Sequence, residues 1–276
     1  MKTTLTYEKF VHDNNEYLKT FCDKRVYASY AGGKDASVIL HFFARAKEEF
    51  GFEFETHAAM YPPHVYTKDD VDRLDSYWKT RGIQIIWHPV NKNESAFDIA
   101  EQQGTNPCEV CHLTKRQYFL EYLDRTVTDW NFVAIILGWS LWDIVSYTLE
   151  YLLGSVYTET EALYQGKSIK DRFFRTSQRF YPMLNMKEGY TLYKPLIRYN
   201  DQDIVKVIRE NEIPILTTDC KYKDFRPKRL FADCYLRQDL YFDYDKVMKF
   251  AQEALNLEKP SSYTVLDKKD FISSIL

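Results

Sequence analysis

The stretch Tyr30-Ala31-Gly32-Gly33-Lys34-Asp35-Ala36 decides the fold, because it joins a strand pattern to a helix pattern. Residues 25–30 are aromatic and β-branched, which is typical of a buried strand, and residues 37–50 carry apolar side chains at helical spacing. Two adjacent glycines let the backbone approach a ligand closely, and the first amides of the following helix point towards that ligand. Because Lys34 adds a positive charge, the turn predicts a phosphate site.

This turn differs from two common phosphate loops, since neither GxxxxGK[ST] nor GxGxxG is present at this position. A Gly-Gly-Lys sequence after a strand is also compatible with an ordinary tight turn. The rest of the chain therefore has to decide between the two interpretations.

Strand and helix patterns alternate beyond the turn. The predicted strands cover residues 52–60, 83–88 and 132–137, and the predicted helices cover residues 67–82, 109–125 and 141–153. Such alternation predicts an α/β fold, in which a mostly parallel sheet has helices on both faces and binds ligands beyond the carboxyl ends of its strands. The periodicity fades over residues 154–190, which predicts a long mobile loop or lid near the site.

The charge balance gives the whole protein no attraction to polyphosphate, since 37 basic and 40 acidic side chains leave a formal charge of −3. Two local segments remain candidates for phosphate contacts or, equally, for solvated loops. They contain Lys167, Lys170, Arg172, Arg175 and Arg179, and then Lys221, Lys223, Arg226, Lys228 and Arg229. No apolar run approaches a membrane span and the start lacks a signal-peptide pattern, so we expect a cytoplasmic protein without membrane contact.

Five cysteines, an odd number, favour reduced thiols or a metal site over a disulfide framework. Cys108 and Cys111 form a CxxC before a helix pattern, and Cys220 lies far downstream. Three interpretations stay open for this set: a metal site, a catalytic thiol pair, and simple packing at a helix start. Cys22 and Cys234 are predicted to be ordinary buried thiols.

The turn, extended to Ser37-Val38, resembles the SGGKDS pyrophosphate loop of the PP-loop family, also called N-type ATP pyrophosphatases or adenine nucleotide alpha-hydrolase-like proteins. Gly138-Trp139-Ser140-Leu141-Trp142-Asp143 is similar to the family's GHHxDD segment. Tyr193-Lys194-Pro195-Leu196-Ile197, followed by Asp203-Ile204 and Ile213-Pro214, is similar to the R-P-L-I, D-I and I-P landmarks of its tRNA-thiolating branch. The likeness spans roughly residues 20 to 230 and implies a Rossmann-like, HUP-type fold.

The resemblance implies an enzyme that splits ATP between the alpha and beta phosphates and adenylates a carbonyl oxygen. It implies a PP-loop ATP-binding domain over residues 1–216, which includes the N-terminal helix, and we expect a helical C-terminal extension over residues 217–276. The residues that it assigns to ATP are Ala31, Gly32, Gly33, Lys34, Asp35, Ala36, Ser37 and Gly138. Asp35 and Asp143 are the two acids able to hold Mg²⁺, which prefers hard oxygen ligands.

Cysteine placement is similar to the two-plus-one pattern of the tRNA 2-thiocytidine and 2-thiouridine synthetases. In those enzymes three cysteines hold an iron–sulfur cluster, so the resemblance implies a [4Fe-4S] cluster on Cys108, Cys111 and Cys220 that receives sulfur from sulfide or a cysteine desulfurase persulfide. Zinc remains an alternative, and it would take its fourth ligand from His112 or Cys234.

The chain departs from the family pattern at two places. Alanines, Ala31 and Ala36, replace both serines of the SGGKDS loop, so that two hydroxyl donors are missing. Trp139, Ser140 and Trp142 replace the two histidines and the first acid of the GHHxDD segment. The two tryptophans are either core residues or a platform on which a flat heterocycle stacks.

Together these features predict an ATP-dependent sulfurtransferase that converts a nucleobase-type C=O to C=S, with Lys34, Asp35, Asp143, Cys108, Cys111 and Cys220 as catalytic residues. A free base, nucleoside or nucleotide is slightly preferred as acceptor, as in 6-thioguanine-type thioamide formation, over tRNA. A non-catalytic nucleotide-binding protein is the alternative from another class. A sulfonucleotide reductase is disfavoured, because no C-terminal ECG-type motif occurs. The aromatic content of 16% also permits a homodimer with an apolar face.

Overall fold

The computed structural model describes residues 5–164 and 167–271, and the side chains of residues 164 and 167 lie outside that description. The side chain of Lys167, a predicted basic contact, is therefore outside the described part. The same holds for the two ends of the predicted domains, residues 1–4 and 272–276. Within the described residues, every helix is too short or too polar to cross a membrane.

A six-stranded sheet in the order β3-β2-β1-β4-β8-β7 forms the centre of the fold. All neighbouring strands are parallel except β7, which pairs with β8 in the antiparallel sense. The strands are β1 (Arg25–Ser29), β2 (Phe54–Met60), β3 (Ile85–Pro89), β4 (Val133–Ile136), β7 (Met183–Asn185) and β8 (Thr191–Tyr193), and a separate hairpin contains β5 (Leu163–Tyr164) and β6 (Lys167–Ser168).

Twelve helices lie within the described ranges and cover the sheet, which confirms the predicted α/β class. They are α1 (Tyr7–Leu18), α2 (Lys34–Phe50), α3 (Lys68–Lys79), α4 (Ser95–Gln102), α5 (Pro107–Thr126), α6 (Leu141–Tyr151), α7 (Ile169–Ser177), α8 (Asp201–Glu210), α9 (Pro227–Arg237), α10 (Tyr244–Ala254), α11 (Pro260–Thr264) and α12 (Lys268–Asp270).

The strand order reverses between β1 and β4, and this reversal fixes the position of the site. Along the chain the sheet grows from β1 through β2 to β3, and then returns to the other edge of β1, where Val26 is level with Ala134. The loops that leave β1 and β4 therefore diverge to opposite faces and open a crevice at the carboxyl ends of the strands. The glycine turn follows β1, and Gly138 follows β4.

Residues after position 217 pack closely onto the rest of the chain. Tyr263 and Phe271, both fully buried, join the apolar cluster of Leu123 and Val133 on one face of the sheet. Tyr235 of α9 contacts the ring of Trp142 on α6 at a centroid distance of 4.9 Å. The helical C-terminal segment thus contributes to the same cores as the sheet.

The expectation of a long loop over residues 154–190 is wrong for the described part of that segment. It contains the β5-β6 hairpin, α7 and the edge strand β7, and Phe173 and Phe180 are buried. These elements are two to nine residues long. Such short elements contain too few turns for an apolar period to stand out in the sequence.

Candidate active site

Gly32 has a backbone conformation that other residues rarely adopt, with φ at +70°. Its carbonyl accepts a hydrogen bond of 2.8 Å from the amide of Leu216. A Cβ atom on Gly32 would lie 2.5 Å from Cγ of Leu216, whereas one on Gly33 would meet nothing within 4 Å. Gly32 is therefore required by the fold, and the space above Gly33 at the start of α2 is open to a ligand.

Gly138 brings the end of β4 against the start of α2. A Cβ atom on Gly138 would lie 3.3 Å from the amide nitrogen of Ala36. Ser37 is fully buried, and its hydroxyl lies 3.4 Å from that of Tyr30. The Ser37 hydroxyl thus faces the interior, and the turn offers a ligand mainly backbone amides.

Two lysines and three aspartates meet beside the turn, and we call them the lysine–aspartate cluster: Lys34, Lys228, Asp35, Asp143 and Asp201. Lys34 Nζ lies 2.6 Å from Asp35 Oδ1 and 2.7 Å from Asp201 Oδ2. Lys228 Nζ lies 2.8 Å from Asp143 Oδ2 and 3.4 Å from both Asp35 and Asp201. These five side chains carry a net charge of −1.

Neighbouring opposite charges stabilise the ionised forms of Asp201 and Lys228. Burial alone would raise the pKa of the Asp201 carboxyl, but Lys228 and Lys34 together lower that pKa to about 2. Burial would lower the pKa of Lys228, but the three carboxylates raise it well above its usual value. Asp201 and Lys228 are therefore both charged at neutral pH.

Asp143 also begins a helix. Its Oδ2 accepts a hydrogen bond of 2.8 Å from the amide of Ser140, and the two residues form a capping box at the start of α6. The Ser140 hydroxyl lies 2.5 Å from Asp201 Oδ1. The helix-capping role of Asp143 therefore coexists with its contact to Lys228.

Asp201 and Lys228 were missed as site residues by the sequence interpretation. Asp201 lies in the capping signal Asn200-Asp201-Gln202-Asp203, and Lys228 belongs to the second basic segment. The signal that could have identified Asp201 is its position just after β8, since that loop ends at the same sheet edge as the glycine turn. No local pattern indicates Lys228.

The three predicted cluster cysteines line one small cavity, together with His112, Tyr222 and Arg226. Cys108 and Cys111 lie in the first turn of α5, where Asn106 Oδ1 accepts a hydrogen bond of 2.8 Å from the Cys108 amide. Cys220 arrives from the segment before α9 and packs partly buried against this group. The fold therefore brings together Cys111 and Cys220, which are 109 residues apart in the sequence.

Burial raises the pKa of both the Cys108 and the Cys111 thiol. Arg226 counteracts this effect, since its positive charge lowers both pKa values and its side chain hydrogen-bonds to Cys108. An electrophilic metal would deprotonate such thiols on binding. The environment therefore suits thiols that become thiolates only when a cation is present.

Within the described ranges, no group of three or more His, Cys, Asp or Glu side chains is arranged to hold a single metal ion. A zinc site with Cys234 has no support, because Cys234 is exposed on α9. The donor set still fits an iron–sulfur cluster in its chemistry, since three thiols face one cavity and a cluster spaces its ligands farther apart than one ion does.

The prediction that Cys22 and Cys234 are buried is wrong, because both are exposed. Cys22 lies in the turn after α1, where its Sγ lies 3.6 Å from the Lys19 carbonyl oxygen. Cys234 lies on the outer side of α9. Neither position is packed, although cysteine is among the residue types most often buried.

The two tryptophans that replace family histidines have different surroundings. Trp142 is buried and packs edge-on against Tyr235, so it is a core residue. The ring of Trp139 is covered by the Arg179 guanidinium, whose Cζ lies 3.8 Å from the ring centroid. A stacking platform is therefore restricted to the region of Trp139.

The arginines of the first basic segment turn inward, whereas most of the second basic segment lies at the surface. Arg172 pairs with Glu150 at 2.7 Å, and Arg175 pairs with Glu109 at 3.3 Å. Arg179 is only 5% exposed. In the second segment Arg226 lines the thiol cavity and Lys228 reaches the lysine–aspartate cluster, while Lys221, Arg226 and Arg229 are exposed, as is Lys170 of the first segment.

Comparison with known proteins supports the fold. The structure of the U34-tRNA thiolase NcsA from Methanococcus maripaludis, which contains a [4Fe-4S] cluster, is similar with a TM-score of 0.59 and 16% identity over 92% of this chain and 81% of that chain. The NMN synthetase from Francisella tularensis has a TM-score of 0.46 and 11% identity, over 98% of this chain and 93% of that chain. No protein-family profile and no curated protein sequence matches the chain. The likeness to the thiolase confirms the predicted α/β, Rossmann-like fold.

Proposed function

We propose that this chain is an ATP-dependent member of the PP-loop family that replaces a carbonyl oxygen of a nucleobase-type acceptor with sulfur. The observation that carries the proposal is a pair of neighbouring features at one sheet edge. A glycine turn with a charged lysine–aspartate cluster lies there, and a cavity lined by Cys108, Cys111 and Cys220 lies at the start of α5. Because a fold alone does not define a reaction, the assignment depends on these residues.

The glycine turn and the two lysines would bind the triphosphate of ATP. The amides at the start of α2 point at the open space above Gly33, and Lys34 and Lys228 carry the positive charge that phosphates require. The net charge of −1 on the cluster then attracts a divalent cation. Once phosphates engage the lysines, Asp35 and Asp143 become available to hold Mg²⁺.

The adenylation step follows from this arrangement. The acceptor carbonyl oxygen attacks the alpha phosphorus of ATP, the bond to the beta-phosphate oxygen breaks, and pyrophosphate leaves. Lys34 and Lys228 stabilise the charge that develops on the phosphates, and such preorganised charges are a major source of catalysis. The product is an acceptor activated by AMP.

The sulfur step would take place near the thiol cavity. A sulfide attacks the activated carbon, the new carbon–sulfur bond forms, and AMP leaves with the former carbonyl oxygen, so that C=S replaces C=O. A [4Fe-4S] cluster held by Cys108, Cys111 and Cys220 would supply an iron that binds sulfide, and Arg226 stabilises negative charge on the thiols.

A small acceptor is our first choice, namely a free base, a nucleoside or a nucleotide. The inward orientation of the arginines supports it, because Arg172, Arg175 and Arg179 are not displayed on a surface that could follow an RNA backbone. tRNA is the second candidate, and the fold shared with a tRNA thiolase favours it.

The test uses protein purified without oxygen and supplied with ATP, Mg²⁺, sulfide and one acceptor at a time. Acceptors are bases, nucleosides, nucleoside 5′-monophosphates and unmodified tRNA. AMP, pyrophosphate and a product in which sulfur replaces oxygen are measured together. We expect all three products in equal amounts with one acceptor class, and loss of all three with Lys34→Ala.

Three results would contradict parts of the proposal. Unchanged pyrophosphate release by Lys34→Ala would overturn the ATP site. AMP formation without a thiolated product would leave an adenylating enzyme that does not transfer sulfur. Binding of ATP without turnover for every acceptor would identify the non-catalytic alternative.

A further inference from the structure

Arg179 is a buried cation, and two of its three guanidinium nitrogens have no hydrogen-bond partner among the described residues. Its side chain is 5% exposed, and among residues 5–164 and 167–271 neither its Nε nor its Nη1 has a hydrogen-bond partner. The guanidinium lies 3.8 Å from the ring centroid of Trp139 and 4.7 Å from that of Tyr147. Two aromatic rings pack against the guanidinium while the N–H groups of Nε and Nη1 have no acceptor, and leaving buried donors without an acceptor costs free energy.

A second arginine, Arg116 on α5, lies within electrostatic range of Arg179. Its Nε donates to the carbonyl of His112, one helical turn earlier, at 3.1 Å. Burial, followed by the positive charge of Arg179, lowers the pKa of Arg116 to about 10, so that it remains charged at neutral pH.

The positive charge in this region exceeds the negative charge. Arg116, Arg175 and Arg179 face one acid, Glu109, which pairs with Arg175. We call these four residues, together with Trp139, the arginine cleft. The net charge of the arginine cleft is therefore +2. Half-buried charges of one sign are unfavourable unless a ligand compensates them.

Residues of the arginine cleft adjoin both reactive features along the chain. Trp139 directly follows Gly138, which touches the glycine turn at Ala36. On the other side, Arg116 is on the same helix as Cys108 and Cys111, one to two turns further along. These two adjacencies connect the cleft with the glycine turn and with the thiol cavity.

We propose that the acceptor carries a phosphate monoester, and that Arg116 and Arg179 bind it. A monoester has a charge of about −1.5 to −2 at pH 7, which matches the cleft, whereas a phosphodiester has only one negative charge. The planar donor forks of two arginines suit phosphate oxygens. This inference depends on the proposed function and narrows its substrate class to a nucleoside monophosphate, and it excludes a free base.

The experiment measures binding by calorimetry, with the ATP site first filled by α,β-methylene-ATP and Mg²⁺. The probes are GMP, IMP, CMP and UMP, each with its own nucleoside. We expect at least one monophosphate to bind about tenfold or more tightly than its nucleoside. That preference should disappear in Arg179→Met and Arg116→Met, because methionine provides a long apolar side chain but none of the N–H donors of arginine.

Lys170→Met is the matched control, because Lys170 is an exposed cation on the neighbouring α7 and should leave the preference intact. Circular dichroism and melting curves check that each variant is folded. Should Arg179→Met fail to fold, Arg116→Met still tests the proposal.

Equal affinity for nucleosides and monophosphates, or a preference that survives both arginine substitutions, would overturn the inference. Loss of α,β-methylene-ATP binding in the arginine variants would also overturn it, since the cleft would then belong to ATP. Binding of tRNA alone would assign the cleft to an RNA backbone instead. A monophosphate preference in a protein that transfers no sulfur would refute the proposed function but leave the cleft assignment standing.

Discussion

Lys228 of α9 lies closer to Asp143 of α6 than to any other acid of the lysine–aspartate cluster, with 2.8 Å between Nζ and Oδ2. Lys228 also lies 3.1 Å from the Ser140 hydroxyl and within 3.4 Å of two further carboxylates. A lysine from the C-terminal segment therefore lies against acids in the first turns of three different helices, α2, α6 and α8. This arrangement makes Lys228 a residue of the candidate active site.

Lys228→Met should lower both stability and turnover. It leaves three carboxylates around Lys34 alone, and we expect a loss of about 2–3 kcal/mol in the free energy of unfolding, below the value for a fully buried pair because Lys228 retains 21% of its side-chain exposure. AMP formation should fall by about 100-fold, as for loss of one preorganised charge. Denaturant titration and AMP release measure the two effects. Lys249→Met, an exposed control on α10, should change neither, and equal behaviour of the two variants would remove Lys228 from the site.

Gly32→Ala and Gly33→Ala should separate folding from ligand binding. Gly32→Ala introduces a Cβ at φ +70° and against Leu216, so we expect about 2–4 kcal/mol of destabilisation. Gly33→Ala has free space around the new methyl group and should fold normally, but it should weaken ATP binding because the backbone can no longer approach the phosphates. Melting temperature and ATP affinity decide the matter. A Gly33→Ala protein with normal ATP affinity would show that no ligand occupies the space above this residue.

Serine substitutions should divide the five cysteines into two groups. Cys108→Ser, Cys111→Ser and Cys220→Ser should each lose iron and acid-labile sulfide after anaerobic reconstitution, since each removes one of three thiols in a single cavity. Cys22→Ser and Cys234→Ser, whose thiols are exposed, should retain both. Iron analysis and the absorption spectrum provide the measurement. An active wild-type protein without iron would contradict the cluster and favour a thiol pair.

Lys194→Met should alter the pH dependence of stability. Burial, and then Arg179, lowers the pKa of Lys194 to about 7 in the folded protein, below its unfolded value. The native state therefore binds fewer protons between about pH 7 and pH 10, and this group makes stability rise with pH by up to about 1.4 kcal/mol per unit. Below pH 7 the buried Lys194 ammonium destabilises the folded protein to its full extent.

Lys194→Met removes this destabilisation. It also loses the 2.9 Å hydrogen bond from Lys194 to the Tyr181 carbonyl, which lowers the gain in the free energy of unfolding by about 1 kcal/mol. Its advantage over the wild type should be largest below pH 7 and decline towards pH 10. Chemical denaturation at several pH values gives the difference, with the exposed Lys187→Met as control. Parallel pH curves for the Lys194→Met and wild-type proteins would show that Lys194 keeps an ordinary pKa.

The sequence predicts those parts of this fold that depend on neighbouring residues. β1, the glycine turn and α2 are local signals, and the bounds of α2, Lys34–Phe50, lie within three residues of expectation. The short elements between α6 and β8 were missed, because α7 spans nine residues and its buried face is mixed with arginines. In the same way α4, with eight residues, gave no separate signal.

The site was predicted only where a motif marks it. Lys34, Asp35 and Asp143 were found because they lie in recognisable segments, and the structure brings all three together. Asp201 and Lys228 were assigned to a helix cap and a basic segment, since their meeting depends on how α8 and α9 pack, which no sequence spacing encodes. The same reason explains why the inward orientation of the arginines was not foreseen.

The hydrogen bond from Leu216 to Gly32 has a consequence for how the two steps are coordinated. The segment that begins at Leu216 is fastened to the glycine turn, carries Cys220 into the thiol cavity, and returns to the turn through Lys228. It is a strap with both ends on the glycine turn and a thiol in its middle. Under the proposed function, a shift of that turn when nucleotide binds or leaves would be transmitted to one of the three thiols, and the timing of sulfur delivery would be mechanically tied to the state of the nucleotide.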